Sequence, residues 1–345
     1  MTPLFWQYLA AAELSSAKAQ EFLRTLGPSH DPISALMAHP FIDDRRRAKL
    51  EGLDLRRFDR VMAAGVQIAQ SDQFPDSLEG LQGLPPSLYF WGDSTVLDAP
   101  CISIVGTRTA SSYGRAVARK FAHAFATAGV TVISGGALGI DEEAHEGALE
   151  AGGKTAAVLG HGIDHVFPAS HAPLFERIRS SGCLVSQFSI GKPSLRENFP
   201  LRNQLIAALS QAVLVVEAPQ KSGSLITTSY AAELGHEVFV VPGNITMESF
   251  RGSHALLRDG ATLVDHPDQI LESLGIDAVA AAVRAEQDFD GAQAEIISAI
   301  GADCLKAEQI SSRTGLSSQD VMSELTMLEI EGVIIRGDGG YSLKP

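Results

Sequence analysis

The chain has 345 residues, enough for two or three domains, each with its own core. Hydrophobic residues make up 45% and charged residues 20%, ordinary for a globular protein, and no apolar run approaches the ~18 residues a membrane span needs. The formal net charge of −14 argues against a surface coated in polyanion but leaves room for a local basic groove, because binding follows the local field.

Residues 1–70 read as a separate domain of short helices, of sterile-alpha-motif or helix-hairpin-helix type, with apolar residues at helical spacing and "GP" and "HP" breakers. The opening "MTPLFWQYLAAAELSS" has no basic start and continues into an amphipathic helix, so it reads as structure and not as a signal peptide. An extended connector follows, "FPDSLEGLQGLPPSLYFWG", expected to lie along the next domain through its aromatic residues. From Cys101 the pattern becomes strand, glycine loop and helix, repeated through "CISIVG", "VTVISGG", "TAAVLGHG", "CLVSQFS", "AVLVVEAP" and "EVFVVPG", with a short "ATLVD" at the end. Near-continuous apolar runs separated by helices indicate a doubly wound, mostly parallel α/β sheet of Rossmann-like type spanning 71–275. Ligands of such sheets bind outside the carboxyl ends of the strands. A linker is expected over 276–293, and 294–345 fits a winged helix-turn-helix with a hairpin turning at "GDGG".

Several tempting motifs fail on context. G-x-G-x-x-G is absent, because Gly106 and Gly114 are far apart in "GTRTASSYG". Gly153-Lys154-Thr155 lies after a helix and before a strand, the wrong way round for a phosphate loop. His161, Asp164, His165 and His171 crowd one loop, which reads more simply as a set of turns than as a metal site. Cys101, Cys183 and Cys304 lack a C-x-x-C pair, a reduced, cytoplasmic pattern. No nucleophile, acid–base pair or metal set can be assembled, so no catalytic residue and no cofactor is expected.

The remaining loops agree on an anion. Gly106, Thr107 and Arg108 follow the first strand; Ser134, Gly135, Gly136 and Gly139 follow the second; Arg202 and Asn203 open a later helix. Lys221, Ser222, Gly223 and Ser224 form a small-residue loop that opens another. Small residues alone would merely permit tight turns, but cations in separate loops beside helix N-termini suit phosphate.

The blocks "FPDSLEGLQGLPPSLYFWGD", "IVGTRTASSYG", "VISGGALGIDEEAHEGAL", "ENFPLRNQLIAALS", "VVEAPQKSGSLITTSYAAELGHEVFVVPGN" and "GSHALLRDGATLV" occur in this order, and together they resemble the DNA processing protein A family (DprA, also called Smf). The resemblance implies a cytoplasmic homodimer that binds single-stranded DNA and loads the RecA recombinase onto it in DNA uptake and natural transformation. It places the family's DNA-contacting arginine on Arg108 and its loop lysine on Lys221. The winged helix departs from a duplex reader: Asp320, Glu324, Glu329 and Glu331 flank its recognition position, without Lys or Arg. A competing reading is a Rossmann-like phosphoribohydrolase, whose P-G-G-x-G-T-x-x-E motif is replaced here by "KSGSLITTSYAAE", with Glu233 far down the helix.

Overall fold

The computed structural model describes residues 1–27, 31–78, 84–276, 291–301, 305–330, 333–337 and 340–343. Most of the expected linker, the turn of the wing, Glu331 and Cys304 lie outside these residues. Tertiary contacts divide the chain into two compact units, Met1–Leu274 and Gly275–Pro345.

Five short helices open the first unit: α1 (Pro3–Ala11), α2 (Ser16–Thr25), α3 (Pro32–Ala38), α4 (Asp44–Glu51) and α5 (Leu55–Ala63). Their starts are set locally. Thr2, Ser15, Asp31, Asp43 and Asp54 each accept a backbone N–H of the first turn. Phe5, Trp6, Leu9, Phe22, Leu36 and Leu50 form a core for this layer. It is tied to the sheet through buried Gln7, whose amide donates to Ile190 O (3.1 Å) and accepts from Tyr89 Oη (2.8 Å) and Ile190 N (3.0 Å).

The sheet has nine strands: β1 (Gln67–Gln70), β2 (Ser87–Gly92), β3 (Cys101–Val105), β4 (Thr131–Ser134), β5 (Thr155–Leu159), β6 (Cys183–Ser186), β7 (Ala212–Val215), β8 (Glu237–Val240) and β9 (Thr262–Leu263). Helices α6 (Ser112–Thr127), α7 (Ile140–Glu150), α8 (Ala172–Ser181), α9 (Asn198–Ala208), α10 (Ser224–Glu233), α11 (Arg251–Arg258) and α12 (Asp268–Ser273) complete the unit. Strand order is β1-β2-β6-β5-β4-β3-β7-β8-β9, parallel from β6 to β9. The end of the connector joins the sheet: "SLYFWG" becomes β2, antiparallel to β6, and β1 pairs with it. Because successive side chains of a strand point to opposite faces, β2 buries Leu88 and Phe90 on one face and Tyr89 on the other. Along β5 and β6 the same alternation sends Ala156, Val158, Cys183 and Val185 to one core and Ala157, Leu159 and Leu184 to the other. Burial on both faces is why these strands read as unbroken apolar runs.

The chain winds outward from β3 through β4, β5 and β6, then returns to lay β7 on the other side of β3. The switch point therefore falls between β3 and β7, and their carboxyl-end loops flank the crevice where doubly wound sheets bind ligands.

In the second unit, helices Ala292–Ile300, Ala307–Thr314 and Ser318–Ile330 pack around Ile297, Ile310, Val321, Leu325 and Leu328. Strands Ile334–Gly337 and Gly340–Leu343 form an antiparallel ribbon beside them.

Candidate nucleic-acid interface

A cavity of about 320 Å³ opens at the switch point, and Thr107, Arg108, Asp141, Phe199, Arg202 and Lys221 are among the residues that line it. The loop after β3 is pressed against its neighbours. Thr107 N donates to Glu217 O (2.7 Å), and a Cβ on Gly106 would meet Ile140 Cγ1 at 2.5 Å and Glu217 O at 2.9 Å. Glycine is needed here for close approach. Beyond this tie the side chain of Arg108 is exposed, its guanidinium 4.8 Å from the centre of the Phe199 ring. That spacing is a cation–π contact.

On the β7 side, buried Glu217 accepts from Ser111 N (3.0 Å) and Ser111 Oγ (2.6 Å), which fixes the start of α6. Its Oε1 is buried with no hydrogen-bond partner among the described residues. The chain then runs through Lys221 to Gly223, where α10 begins without a side-chain cap. Ser222 and Ser224 bond each other (2.6 Å), and Asn203 Nδ2 donates to Gly223 O (3.0 Å), fastening this loop to α9. Lys221 is exposed, and neither it nor Arg108 has an ion-pair partner among the described residues. Two cations without ion-pair partners thus face one crevice beside the start of α10, whose first N–H groups are already engaged by Ser222 Oγ, Ser222 O and Gly223 O; the cations and the positive end of the helix dipole suit anions.

The other expected residues take supporting places. Ser134, Gly135, Gly136 and Gly139 stand behind the cavity. Ser134 Oγ donates to Ile104 O (2.7 Å), and Gly139, at φ 84°, starts α7 where a Cβ would strike Thr107 O at 2.4 Å. Arg202 lines the cavity, but its Nη1 donates to Gly135 O (2.5 Å) and Val158 O (2.6 Å), and its Nε to Asn203 Oδ1 (3.0 Å). Burial pushes its pKa down to about 10, opposed by the charge of Asp141, so it stays cationic at neutral pH. Asp141 is itself raised by burial, with Arg202 and Arg108 pulling the other way. Arg202 therefore serves mainly as an internal strut joining α9 to the ends of β4 and β5.

Sequence reasoning passed over Phe199, Glu217 and Asp141 as site residues. "ENFPLRN" carried the one available signal, an aromatic residue beside the expected cation. Of the histidine loop, Asp164 and His165 engage Arg57 of α5, and His171 Nδ1 pairs with Gly136 O (3.0 Å). No group of three potential metal ligands occurs among the described residues. Glu233 closes α10, nine residues beyond Ser224 and so about 14 Å along the axis from the helix start. It cannot reach an anion bound at that end.

These features define a Rossmann-like α/β protein whose switch-point crevice carries exposed cations and an aromatic ring. Comparison with known proteins makes the assignment specific. Residues 65–275 match the model of the DNA recombination-mediator protein A family, and 280–340 match the DprA winged helix domain. Protein Smf of Escherichia coli K12 is 37% identical over 282 residues, covering 79% of this chain and 75% of that protein. DNA processing protein DprA of Streptococcus pneumoniae R6 is 36% identical over 200 residues, 58% of this chain and 71% of the relative. The crystal structure of DprA from Streptococcus pneumoniae superposes with a TM-score of 0.66 at 27% identity, covering 79% of this chain and 98% of that one. A structure reporting the single-stranded DNA binding mode of DNA processing protein A from Helicobacter pylori gives 0.56 at 28% identity, covering 61% and 97%. The chain belongs to the DNA recombination-mediator protein A (DprA/Smf) family, whose members are DNA-processing proteins.

Proposed function

We propose that the chain binds single-stranded DNA, protects it and loads the RecA recombinase onto it during DNA uptake and natural transformation. It acts in the cytoplasm as a homodimer and needs no cofactor. The observation that carries this reading is the pair Arg108 and Lys221, unpaired and exposed across the switch-point crevice, with Phe199 beside them. Lys221 neutralises a backbone phosphate at the positive end of the α10 dipole. Phe199, half-buried with the guanidinium groups of Arg108 and Arg202 over its ring, positions Arg108 at the crevice, and phosphate contacts of this kind carry no sequence information, so binding tolerates sequence. The structural neighbour from Helicobacter pylori supports the choice of single strands.

The winged helix contributes little to this binding. Its helix Ser318–Ile330 exposes Asp320, Glu329, Met322 and Met327 and carries no Lys or Arg. Duplex readers place cationic and amide side chains there, and this helix offers a single exposed amide, Gln319, among its acids. No described helix is long and apolar enough to cross a membrane, which is consistent with this cellular role. The test is salt-dependent binding to matched single- and double-stranded oligonucleotides. Single strands should bind more tightly with little sequence dependence, and equal affinity for duplex would sink the proposal.

A further inference from the structure

The cation pocket has an apolar rim. Beyond the N-terminal helical segment, residues 1–63, the large apolar side chains that the described first unit exposes lie at one end of the sheet, the exception being Leu263 on edge strand β9. They sit beyond the carboxyl ends of the strands or in the first turn of a helix that starts there: Tyr113 after β3, Leu138 after β4, Phe167 after β5, Ile245 after β8. A concentration of exposed apolar surface at one end marks an interaction site.

Among the aromatic members of the rim, the loop that carries Phe167 and the ring of Tyr113 are held in place although both side chains face solvent. Phe167 is 48% exposed and stacks on no other ring among the described residues, yet its loop is pinned on both sides. On one side Asp164 pairs with Arg57 and accepts from Gly191 N (2.9 Å); on the other, His171 bonds Gly136 O (3.0 Å). Tyr113, also 48% exposed, donates its hydroxyl to Pro242 O (2.9 Å) and rests 6.0 Å from the Phe250 ring. Fixing an aromatic ring outward before a ligand arrives reduces the ordering cost of binding. The topology puts Phe167 and Tyr113 on either side of the cations: β5 lies two strands from β3, about 10 Å at the usual spacing, while α6 starts toward the β8 side.

We propose that a bound single strand runs from the cation pocket along the carboxyl edge of the sheet, with bases stacking on Phe167 at one side and Tyr113 at the other. This rests on the single-strand reading above and extends it to a track longer than the pocket. Charge decides between a nucleic acid and a protein as the occupant. Protein interfaces deplete charge at their centre, whereas the centre of this rim holds the unpaired Arg108 and Lys221. Cations interleaved with aromatic platforms are the composition of single-strand grooves.

The test uses the full chain with oligothymidylates of about 4 and about 16 nucleotides, the span of common single-strand site sizes. Phe167→Ala should weaken the longer strand roughly tenfold, about 1.4 kcal/mol, and leave the shorter one unchanged. Phe167→Trp should show fluorescence quenched by the longer strand but not by an abasic strand of equal length. Wild-type affinity of Phe167→Ala for the longer strand, with Arg108→Ala impaired, overturns the track and spares the pocket. So does altered self-association of Phe167→Ala in sedimentation without a change in strand affinity, which would make the rim a protein interface. If the wild type binds neither oligonucleotide, the single-strand reading itself falls and the track falls with it.

Discussion

Replacing Lys221 or Arg108 with alanine should weaken single-strand binding and flatten its dependence on salt. A cation that neutralises one phosphate of a single strand releases condensed counterions worth a slope of about 0.7 in log affinity against log salt. Two such contacts give a slope of about 1.4, so raising salt fourfold should cost the wild type roughly sevenfold in affinity and either single variant about 2.6-fold. The two residues are not equivalent. Arg108 also lies over the Phe199 ring, a contact worth about 0.5–1 kcal/mol at exposed sites, so its loss should cost more affinity than loss of Lys221. Arg108→Lys separates the effects, keeping the slope while losing the planar stack. Both side chains are exposed, so thermal stability should stay within about 0.5 kcal/mol of wild type. The assay is a fluorescence-anisotropy titration at several salt concentrations, with thermal unfolding alongside. Unchanged slopes in both alanine variants would refute the phosphate role, and the two residues would then be solvated loop side chains.

Gly135→Ala should destabilise the fold by about 1–3 kcal/mol, because the new Cβ would lie 2.6 Å from the Arg202 guanidinium; chemical denaturation measures it. Deleting 291–345 should leave most single-strand affinity intact, and a loss equal to that of the Arg108/Lys221 double variant would contradict this. Burial lowers the pKa of His145 to about 3 against an unfolded value near 6.5, so the unfolded chain takes up the proton first. Its contribution to stability is complete above about pH 6.5 and falls by about 1.4 kcal/mol per pH unit below it, levelling off as pH passes the folded value. His145→Gln should remove that component from denaturation curves measured across this window.

The sheet was legible because strands buried on both faces must be apolar at every position, as "CISIV" and "AVLVV" are. The position of Lys221 beside the start of α10 was legible because an apolar strand, a small-residue loop and a helix follow one another in "VVEAPQKSGSLITTSYAAE". Arg202 was not. In "NFPLRN" it resembles a surface cation, and only the fold brings the carbonyls of Gly135 and Val158 around its guanidinium. Partners 67 and 44 residues away leave no local trace. The docking of the N-terminal helices was hidden for the same reason, since it turns on one glutamine bonded 183 residues along the chain. The strand at "SLYFWG" was read as connector because the prolines and glycines before it suggested an extended segment, whereas pairing with β6 lets its aromatic residues fill both cores.

A chain of formal net charge −14 can hold a polyanion only if its negative charges are kept from the binding track. At physiological ionic strength the Debye length is about 8 Å, so exposed carboxylates farther away contribute little to the field at the pocket. Along α7, whose first turn contributes Asp141 to the pocket, further acids are already paired: Glu143 with Arg115 and Arg119, Glu150 with Arg119, and Glu146 with Arg177. Asp141, which lines the pocket, is offset by buried Arg202, and Glu217 is enclosed beneath the start of α6. What remains at the mouth is Arg108 and Lys221. The local field of these two cations, and not the net charge of the chain, then draws a strand to this entrance.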